Sequence, residues 1–411
     1  MRVFLRTLPK GAHLFIGVDD LRLLQDIKRL EEALAIAFAH VDVRGREGKR
    51  AIEEGLGCVS SRGLFAGSPL PHFARSTMDG YCLRAADTNG ASESIPAMLA
   101  RGVEIHPVLT GGPIAAGTDA VVMLEYTEEL EDGTVLVSRP VAVGENILAV
   151  GEDVPQGTEL VRAGEILTAR KLALLAAFGY DEIPVRDFRV LILSSGNEIV
   201  PVSEQPSLGQ VRDINAYYLH AMCCRMGLSA VCGGIVPDDA TQLYEALLGG
   251  ITQYDAVLLS GGSSAGSLDY SRSVIDRLGT PGVLVHGLMI KPGKPTIVGS
   301  CHGKLVLGLP GHPLSCALTA HTVARPLLSH AAGLVKREPL MIEGRLVRPI
   351  ASAPGRRDHI PVLVERGNVF PLLSKSASIS ALARSNGLLT IDEGCEGLSE
   401  GAAVSVEFWE E

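Results

Sequence analysis

Residues 255–269 have the sequence DAVLLSGGSSAGSLD, which decides the fold of the central part of the chain. The uninterrupted apolar run at 256–259 is typical of a strand that is buried on both faces of a sheet. The Gly- and Ser-rich turn after it lets backbone N–H groups approach an anion, and the helix predicted next adds the positive end of its dipole. Taken alone, such a turn is more simply a flexible connection. It is not a Walker A loop, because no Gly-Lys-Ser/Thr follows.

The alternation of strands and helices extends outward over residues 187–333. Apolar runs at 190–193, 230–236, 255–259 and 305–307 alternate with helical patterns at 213–226, 238–248, 270–278 and 314–328. Continuous apolar strands between helices predict a doubly wound, mostly parallel sheet with helices on both faces. Ligands bind such a sheet beyond the carboxyl ends of its strands.

Four predicted strands end in segments rich in small, polar or acidic residues. These segments are SSGNE at 194–198, VPDD at 236–239, SGGSSAGSLD at 260–269 and GLPGHP at 308–313. Because parallel strands end at the same edge, we expect the four segments to meet and to bind phosphate. The candidate binding residues are Ser195, Gly196, Gly261, Gly262, Ser263, Ser264, Gly266, Pro310, Gly311 and His312.

Charged residues complete this predicted site. Lys291 and Lys294 belong to the segment KPGKP, whose prolines stiffen the backbone and thereby aim the two ammonium groups. Glu198, Asp238 and Asp269 follow the strand ends, and crowded carboxylates repel one another unless a cation joins them. Their hard oxygen atoms suit Mg²⁺ bound to phosphate. For Asp238 and Asp269, capping of a helix is an equally good interpretation.

The rest of the chain predicts further domains, since 411 residues exceed one compact core. Apolar residues at 18–65 have helical spacing, from Leu21 and Leu24 onward, whereas 69–153 alternates in short strands with Gly and Pro turns. We expect a helical N-terminal domain of residues 1–68 and 154–186, with a helix at 169–178. We also expect an inserted β-rich domain at 69–153, the α/β domain at 187–333, and a C-terminal β domain or barrel without a convincing helix at 336–411.

Composition excludes several functions. A net charge of −10 does not favour nucleic-acid binding, which needs a basic surface. No apolar run is long enough to span a membrane, and the N-terminal sequence does not have the pattern of a signal peptide. The eight cysteines include no C-x-x-C pair, so a zinc ribbon or thioredoxin-type site is not expected. We therefore expect a cytoplasmic protein that binds a small molecule.

Seven segments together resemble the molybdopterin molybdenumtransferase family, which comprises the MoeA proteins and the gephyrin E domain. They are STMDGY at 76–81, TGGPIAAG at 110–117, GED at 151–153, SGNE at 195–198, the stretch 260–269, KPGKP at 291–295 and LPGHP at 309–313. The resemblance runs from about residue 69 to the C-terminus. It implies an elongated, four-part α/β and β subunit that works as a homodimer. It also implies a transferase with adenylylated molybdopterin and molybdate as substrates, Mg²⁺ as cofactor and AMP as product.

The resemblance also implies roles for individual residues. The acids of the active site are Asp79, Asp153, Glu198, Asp238 and Asp269, of which the last three are the expected metal ligands. A contact to the pterin phosphate falls near Ser376, and Asp79 comes from the opposite subunit. The sequence departs from the family at Ser195, Asn197, Ser267 and His312, where threonine, aspartate, an acid and asparagine are usual. These departures imply either a preference for tungstate over molybdate or weakened catalysis.

Two other functions stay open on the sequence. One is a non-catalytic scaffold that holds the cofactor or a partner, which the five mapped acids argue against. The other is a molybdopterin adenylyltransferase, which the flanking N- and C-terminal regions argue against. A molybdopterin adenylyltransferase or an apoenzyme is also a candidate partner of the insertion enzyme.

Overall fold

The structure is a computed structural model that describes residues 27–261, 267–373 and 375–409. For residues 267–270 it describes the backbone alone. The predicted binding residues Gly262, Ser263, Ser264 and Gly266 therefore lie outside the described residues, as do Leu21 and Leu24. The same holds for the side chains of Ser267 and Asp269.

The described part of the chain starts at residue 27 and has one helix before its first strand. The elements are α1 Leu30–His40, β1 Arg46–Ala51, a 3-10 helix Ile52–Glu54 and β2 Leu64–Phe65. Glu31 and Glu32 lie in the first turn of α1, where they complement the helix dipole. The prediction of helix over 18–65 is wrong beyond His40. Strand β1 is fully exposed, and it is set by pairing with residues 182–187, a contact that no local pattern reveals.

Residues 70–154 form a β-rich unit, as predicted. Its elements are β3 Arg75–Ser76, β4 Gly80–Leu83, a 3-10 helix Ala85–Thr88, β5 Ala97–Ala100, β6 His106–Val108, β7 Ala120–Met123, a 3-10 helix Leu124–Tyr126, β8 Thr127–Glu129, β9 Thr134–Val137 and β10 Ile147–Leu148. Two three-stranded sheets, β6-β4-β7 and β5-β9-β8, enclose a core that includes Leu83, Val122 and Val135.

The chain then returns to the elements that precede this unit. The next elements are β11 Glu159–Val161, α2 Ala169–Ala177 and β12 Glu182–Asp187. β11 pairs with β2 and β12 pairs with β1, both antiparallel, so the β-rich unit is an insertion between paired strands. The Thr168 hydroxyl caps α2 by accepting from the Lys171 N–H. Gly179, at φ 75°, follows the end of this helix as predicted.

Residues 189–331 form the α/β region. Its elements are β13 Arg189–Ser195, β14 Ile199–Val200, β15 Val211–Arg212, α3 Asn215–Arg225, β16 Ser229–Val236, α4 Ala240–Gln253, β17 Ala256–Gly261, α5 Ser267–Arg277, β18 Pro281–His286, β19 Ile290–Lys291, β20 Ile297–Cys301, β21 Lys304–Leu309, α6 Pro313–Thr319, a π-helical turn Ala320–Ala324 and α7 Arg325–Ala331. The sheet order is β16-β13-β17-β21-β20-β18. The first four strands pair in parallel, whereas β20 pairs antiparallel with β21 and β18 pairs antiparallel with β20. The sheet is therefore mostly parallel, as predicted.

Alternate residues of β13 face opposite layers of this region. Val190 and Ile192 pack in one core with α1, α3 and α7, whereas Leu191 and Leu193 pack in another with α4 and α5. Both faces of the central strands are therefore covered, which explains the continuous apolar runs of β13 and β17, whereas the edge strand β16 is mostly exposed.

The last region is a closed barrel. Its elements are β22 Met341–Leu346, β23 Ile350–Ala351, β24 Arg357–Glu365, β25 Asn368–Pro371, α8 Ile379–Arg384, β26 Gly387–Ile391, β27 Gly397–Leu398 and β28 Ala403–Phe408. The order β24-β25-β22-β28-β26 closes because β24 also pairs with β26. The expectation of no helix here is wrong. α8 spans six residues, too short for a clear apolar period, and its Leu382 packs with Leu314 of α6. None of the described helices is long and apolar enough to cross a membrane.

Candidate active site

Four parallel strands end side by side in the α/β region, and we call this line of strand ends the carboxyl edge. Ser195, at the end of β13, is in register with Val236 of β16 on one side and with Gly261 of β17 on the other. Ser260 is in register with Leu309 of β21. The topology therefore brings together the segments that begin at residues 194, 236, 260 and 308.

Two glycines let the turns at this edge pack tightly. A Cβ at Gly261, where φ is 104°, would lie 2.0 Å from the Ser195 carbonyl oxygen. A Cβ at Gly196, where φ is 152°, would lie 2.6 Å from Glu198 Oε2. The Glu198 carboxylate thus lies against the backbone of Gly196. A side chain at Gly196 would displace this carboxylate, and a side chain at Gly261 would displace the backbone of Ser195.

Hydrogen bonds join Asp238 to the turn after β13. Its Oδ1 accepts from Ser195 Oγ at 3.4 Å and its Oδ2 accepts from the Asn197 N–H at 3.3 Å. In return, the Asp238 N–H donates to Asn197 Oδ1 at 3.2 Å. Asn197 thus pairs with Asp238 without adding a charge.

The capping interpretation of Asp238 is wrong, because its neighbour has that role. Asp239 is the N-cap of α4, and its Oδ1 accepts from the N–H groups of Thr241 and Gln242. The Asp238 carboxylate is exposed and remains available to a ligand. Asp269 lies in the first turn of α5, and its side chain is outside the described residues.

Glu198 and Asp238 are the two predicted metal ligands whose side chains the structure describes. Across residues 27–261, 271–373 and 375–409, no group of three or more His, Cys, Asp or Glu side chains has an arrangement that holds a metal. Mg²⁺ is commonly bound through one or two carboxylates together with the phosphates of a substrate. Glu198 and Asp238 are ligands of the type that Mg²⁺ takes, but the described residues do not form an all-protein metal site.

The segment after β21 is held from two sides. Asn215, the first residue of α3, donates through Nδ2 to the Gly311 carbonyl oxygen at 2.8 Å. The Leu314 N–H of α6 donates to the Ser376 carbonyl oxygen at 3.0 Å. Between them, His312 precedes Pro313, the first residue of α6. Ser376 of the barrel therefore lies beside the turn that contains Pro310, Gly311 and His312.

The lysine segment also reaches the carboxyl edge. Ile297, which opens β20, pairs with Gly308 near the end of β21, so the lysine segment enters β20 from the side of this strand end. A Cβ at Gly293, between the two lysines, would lie 2.4 Å from Thr319 Oγ1 at the end of α6. Lys291 Nζ is 3.0 Å from Asp358 Oδ2 of the barrel, and Lys294 is exposed. Sequence reasoning missed Asp358, because nothing in the local sequence links it to a lysine 67 residues earlier.

Asp79 and Asp153 lie in the inserted β-rich unit. Asp79 Oδ1 accepts from the Thr110 N–H at 2.6 Å and from Thr110 Oγ1 at 2.8 Å, and these bonds lower the pKa of the exposed Asp79 carboxyl. The Asp153 N–H donates to the Leu70 carbonyl oxygen, and Asp153 is exposed. The hydrogen bonds described for residues 73–150 stay within the unit, so none of them joins Asp79 to the carboxyl edge of the same chain.

Three family profiles match consecutive parts of the chain. They are the MoeA N-terminal region (domain I and II) at residues 28–179, a probable molybdopterin binding domain at 191–330 and the MoeA C-terminal region (domain IV) at 343–409. A protein of Methanocaldococcus jannaschii assigned to molybdopterin biosynthesis is 32% identical over 94% of this chain and 99% of its own length. The molybdopterin molybdenumtransferase of Haemophilus influenzae is 28% identical over 87% of this chain and 92% of its own length.

A solved structure agrees with these relatives. The crystal structure of a molybdopterin biosynthesis MoeA protein from Pyrococcus horikoshii superposes with a TM-score of 0.80 at 32% identity, covering 94% of this chain and 100% of the other. The fold and the carboxyl edge define a multidomain enzyme of molybdenum cofactor biosynthesis, with its α/β sheet between an N-terminal region and a barrel. The chain belongs to the MoeA family.

Proposed function

We propose that the protein inserts molybdate or tungstate into adenylylated molybdopterin and releases AMP in a Mg²⁺-dependent reaction. The observation that carries this proposal is the convergence of four strand ends with Ser195, Glu198 and Asp238 in a chain of the MoeA family. The substrate has a pyrophosphate and a terminal phosphate, and the turns at the carboxyl edge offer backbone N–H groups to such anions.

Each group at the edge has a stated task in this reaction. Glu198 and Asp238 would hold a magnesium ion, and the bound ion would stabilise negative charge on the pyrophosphate. Ser195 and Asn197 orient the Asp238 carboxylate through the bonds at 3.4 and 3.3 Å. Lys291 and Lys294 supply positive potential to the phosphates and to the oxyanion. We keep Asp269 as a third ligand and Gly262, Ser263, Ser264 and Gly266 as phosphate contacts, as the sequence predicts.

We infer that Asp79 acts in the site of a second copy of the chain. Exposed apolar side chains flank it: Met78 is 40%, Leu109 72% and Leu124 48% exposed. The Leu124 N–H donates to the Asp79 carbonyl oxygen, and Leu109 precedes the Thr110 that binds the Asp79 carboxylate. An acid surrounded by exposed apolar residues is suited to a surface that another protein covers.

Mixing two inactive variants tests this shared site. Asp79→Ala and Glu198→Ala chains lose activity when each is assembled alone, and their mixture regains part of it through dimers that hold one intact site. A mixture that stays inactive, although mass measurement shows mixed dimers, contradicts the sharing of the site.

Release of AMP tests the proposed function itself. Protein is incubated with adenylylated molybdopterin and Mg²⁺, with or without molybdate or tungstate, and AMP is measured. We expect AMP only when an oxyanion is present, and loss of AMP release in Glu198→Gln. Glu204→Gln is the matched control, because Glu204 is exposed and the two hydrogen bonds described for it use its backbone.

Other outcomes identify the alternatives. Consumption of ATP with unadenylylated molybdopterin indicates an adenylyltransferase, and binding without any turnover indicates a scaffold.

We also propose that the domain boundaries lie at residues 68/69, 153/154, 186/187 and 333–336. Limited proteolysis tests these boundaries, because a protease should cleave the chain near them and the masses of the fragments identify the cleavage sites.

A further inference from the structure

Asp358 of the barrel forms an ion pair with the lysine segment of the α/β region. Its side chain is almost fully buried, at 5% exposed, whereas that of Lys291 is 51% exposed. Asp358 Oδ2 accepts from Lys291 Nζ at 3.0 Å and from Ser352 Oγ at 3.1 Å. The acid is thus held inside the barrel while the ammonium group of its partner reaches solvent.

Backbone pairing also holds the two residues of this ion pair next to each other. β19 pairs in parallel with β24, and Lys291 stands in register with Asp358 itself. The Arg357 N–H donates to the Met289 carbonyl oxygen at 2.9 Å, which continues the pairing toward the start of β19. Asp358 therefore has little freedom to follow the ammonium group if it moves.

This anchoring matters because a lysine side chain is flexible. An unrestrained lysine has a large rotamer entropy, much of which is lost when its ammonium group binds a ligand. The ammonium group has three N–H donors, and one bond to Asp358 leaves the others available to an anion. A fixed acid therefore prepares Lys291 for a phosphate, although it also offsets part of the positive charge.

We propose that Asp358 is a positioning residue that holds the ammonium group of Lys291 at the carboxyl edge for a phosphate of the ligand. The inference rests on the proposed function in one respect, namely that Lys291 meets a phosphate group. It assigns the barrel a part in substrate binding that goes beyond the contact near Ser376. Asp358 acts through Lys291 and need not touch the ligand.

A double-mutant cycle on pyrophosphate binding tests the proposal. Calorimetry measures the affinity of the full-length wild type, of Asp358→Ala, of Lys291→Met and of the double variant. Asp358→Ala should weaken binding about tenfold, and in the Lys291→Met background it should have no further effect. Asp358→Asn should remain near the wild type, because its amide oxygen still accepts from Lys291 Nζ. In turnover assays, Asp358→Ala should raise KM and leave kcat nearly unchanged.

Several outcomes overturn the proposal. Tighter binding in both Asp358 variants means that the acid competes with the phosphate for Lys291. Additive losses in the double variant mean that Asp358 acts on the fold, which circular dichroism of each variant checks. Wild-type protein that binds no pyrophosphate overturns the inference as well. The two proposals can fail separately. If the protein releases no AMP in response to an oxyanion but the double-mutant cycle is non-additive, the proposed function is refuted and the positioning role of Asp358 remains.

Discussion

Replacement of Gly261 by alanine tests how tightly the carboxyl edge is packed. At φ 104° an alanine is in a backbone conformation that L residues rarely adopt, which costs about 2 kcal/mol. The added Cβ would also lie 2.0 Å from the Ser195 carbonyl oxygen, so β13 and β17 must separate, which costs about 2 kcal/mol more. We expect Gly261→Ala to lower the local free energy of unfolding by about 4 kcal/mol.

Amide hydrogen exchange is the suitable assay for this change. A chain of several domains has no single free energy of unfolding, whereas exchange reports the opening of each strand. A loss of about 4 kcal/mol accelerates exchange in β13 and β17 about a thousandfold where exchange occurs through equilibrium opening. AMP release should fall with it, because Ser195 moves away from Asp238.

Gly249→Ala is the matched control for Gly261→Ala. Gly249 lies within α4 of the same region, and a Cβ there meets nothing within 4 Å. This substitution should leave exchange unchanged or slow it, with a gain of up to about 1 kcal/mol. If Gly261→Ala exchanges in β13 and β17 at the wild-type rate, the packing of these turns is not as we describe it.

Three further predictions concern other parts of the molecule. Burial lowers the pKa of His359 from 6.5 to about 4, so the unfolded chain binds more protons between these values. The free energy of unfolding of the barrel should fall by up to about 3 kcal/mol as the pH drops from 6.5 to 4, and His359→Gln should remove this contribution. The fluorescence of Trp409, the only tryptophan, follows the unfolding of the barrel. Thr110→Val removes the hydroxyl donor to Asp79 and should therefore raise the pKa of that carboxyl. In a profile of AMP release rate against pH, the acidic limb should then shift to higher pH. An unchanged acidic limb contradicts a role for ionised Asp79. Leu258→Ala, in the fully buried centre of β17, should cost about 2–5 kcal/mol and accelerate exchange in the sheet, whereas a smaller loss means that the core closes around the cavity.

The sequence predicts the central strands of the parallel sheet well because these strands are buried on both faces. The runs at 190–193 and 256–259 are apolar without interruption, and few other structures require that pattern. By contrast, the sequence pattern does not predict β18 and β20. Both strands contain glycine or proline, and their pairing joins residues that are distant in the chain. The exposed β1 has no apolar pattern at all and exists only through its pairing with β12.

The site was less predictable than the sheet. Topology alone suffices to place Ser195, Gly261 and the turn at Gly311 on one edge. Asp238 and Asp239 are adjacent and identical, so the sequence does not show which of them caps α4. The turn of the chain after β16 decides this in favour of Asp239. The pairing of Lys291 with Asp358 depends on the docking of the barrel, and no local pattern of residues encodes that docking.

The most direct test of the central claim is the structure of the protein in complex with adenylylated molybdopterin and Mg²⁺. Our account predicts that the pyrophosphate lies on the turns around Gly196 and Gly261, with the metal ion between it and the carboxylates of Glu198 and Asp238. A ligand bound elsewhere, with the carboxyl edge of the sheet in contact with solvent alone, would contradict the account.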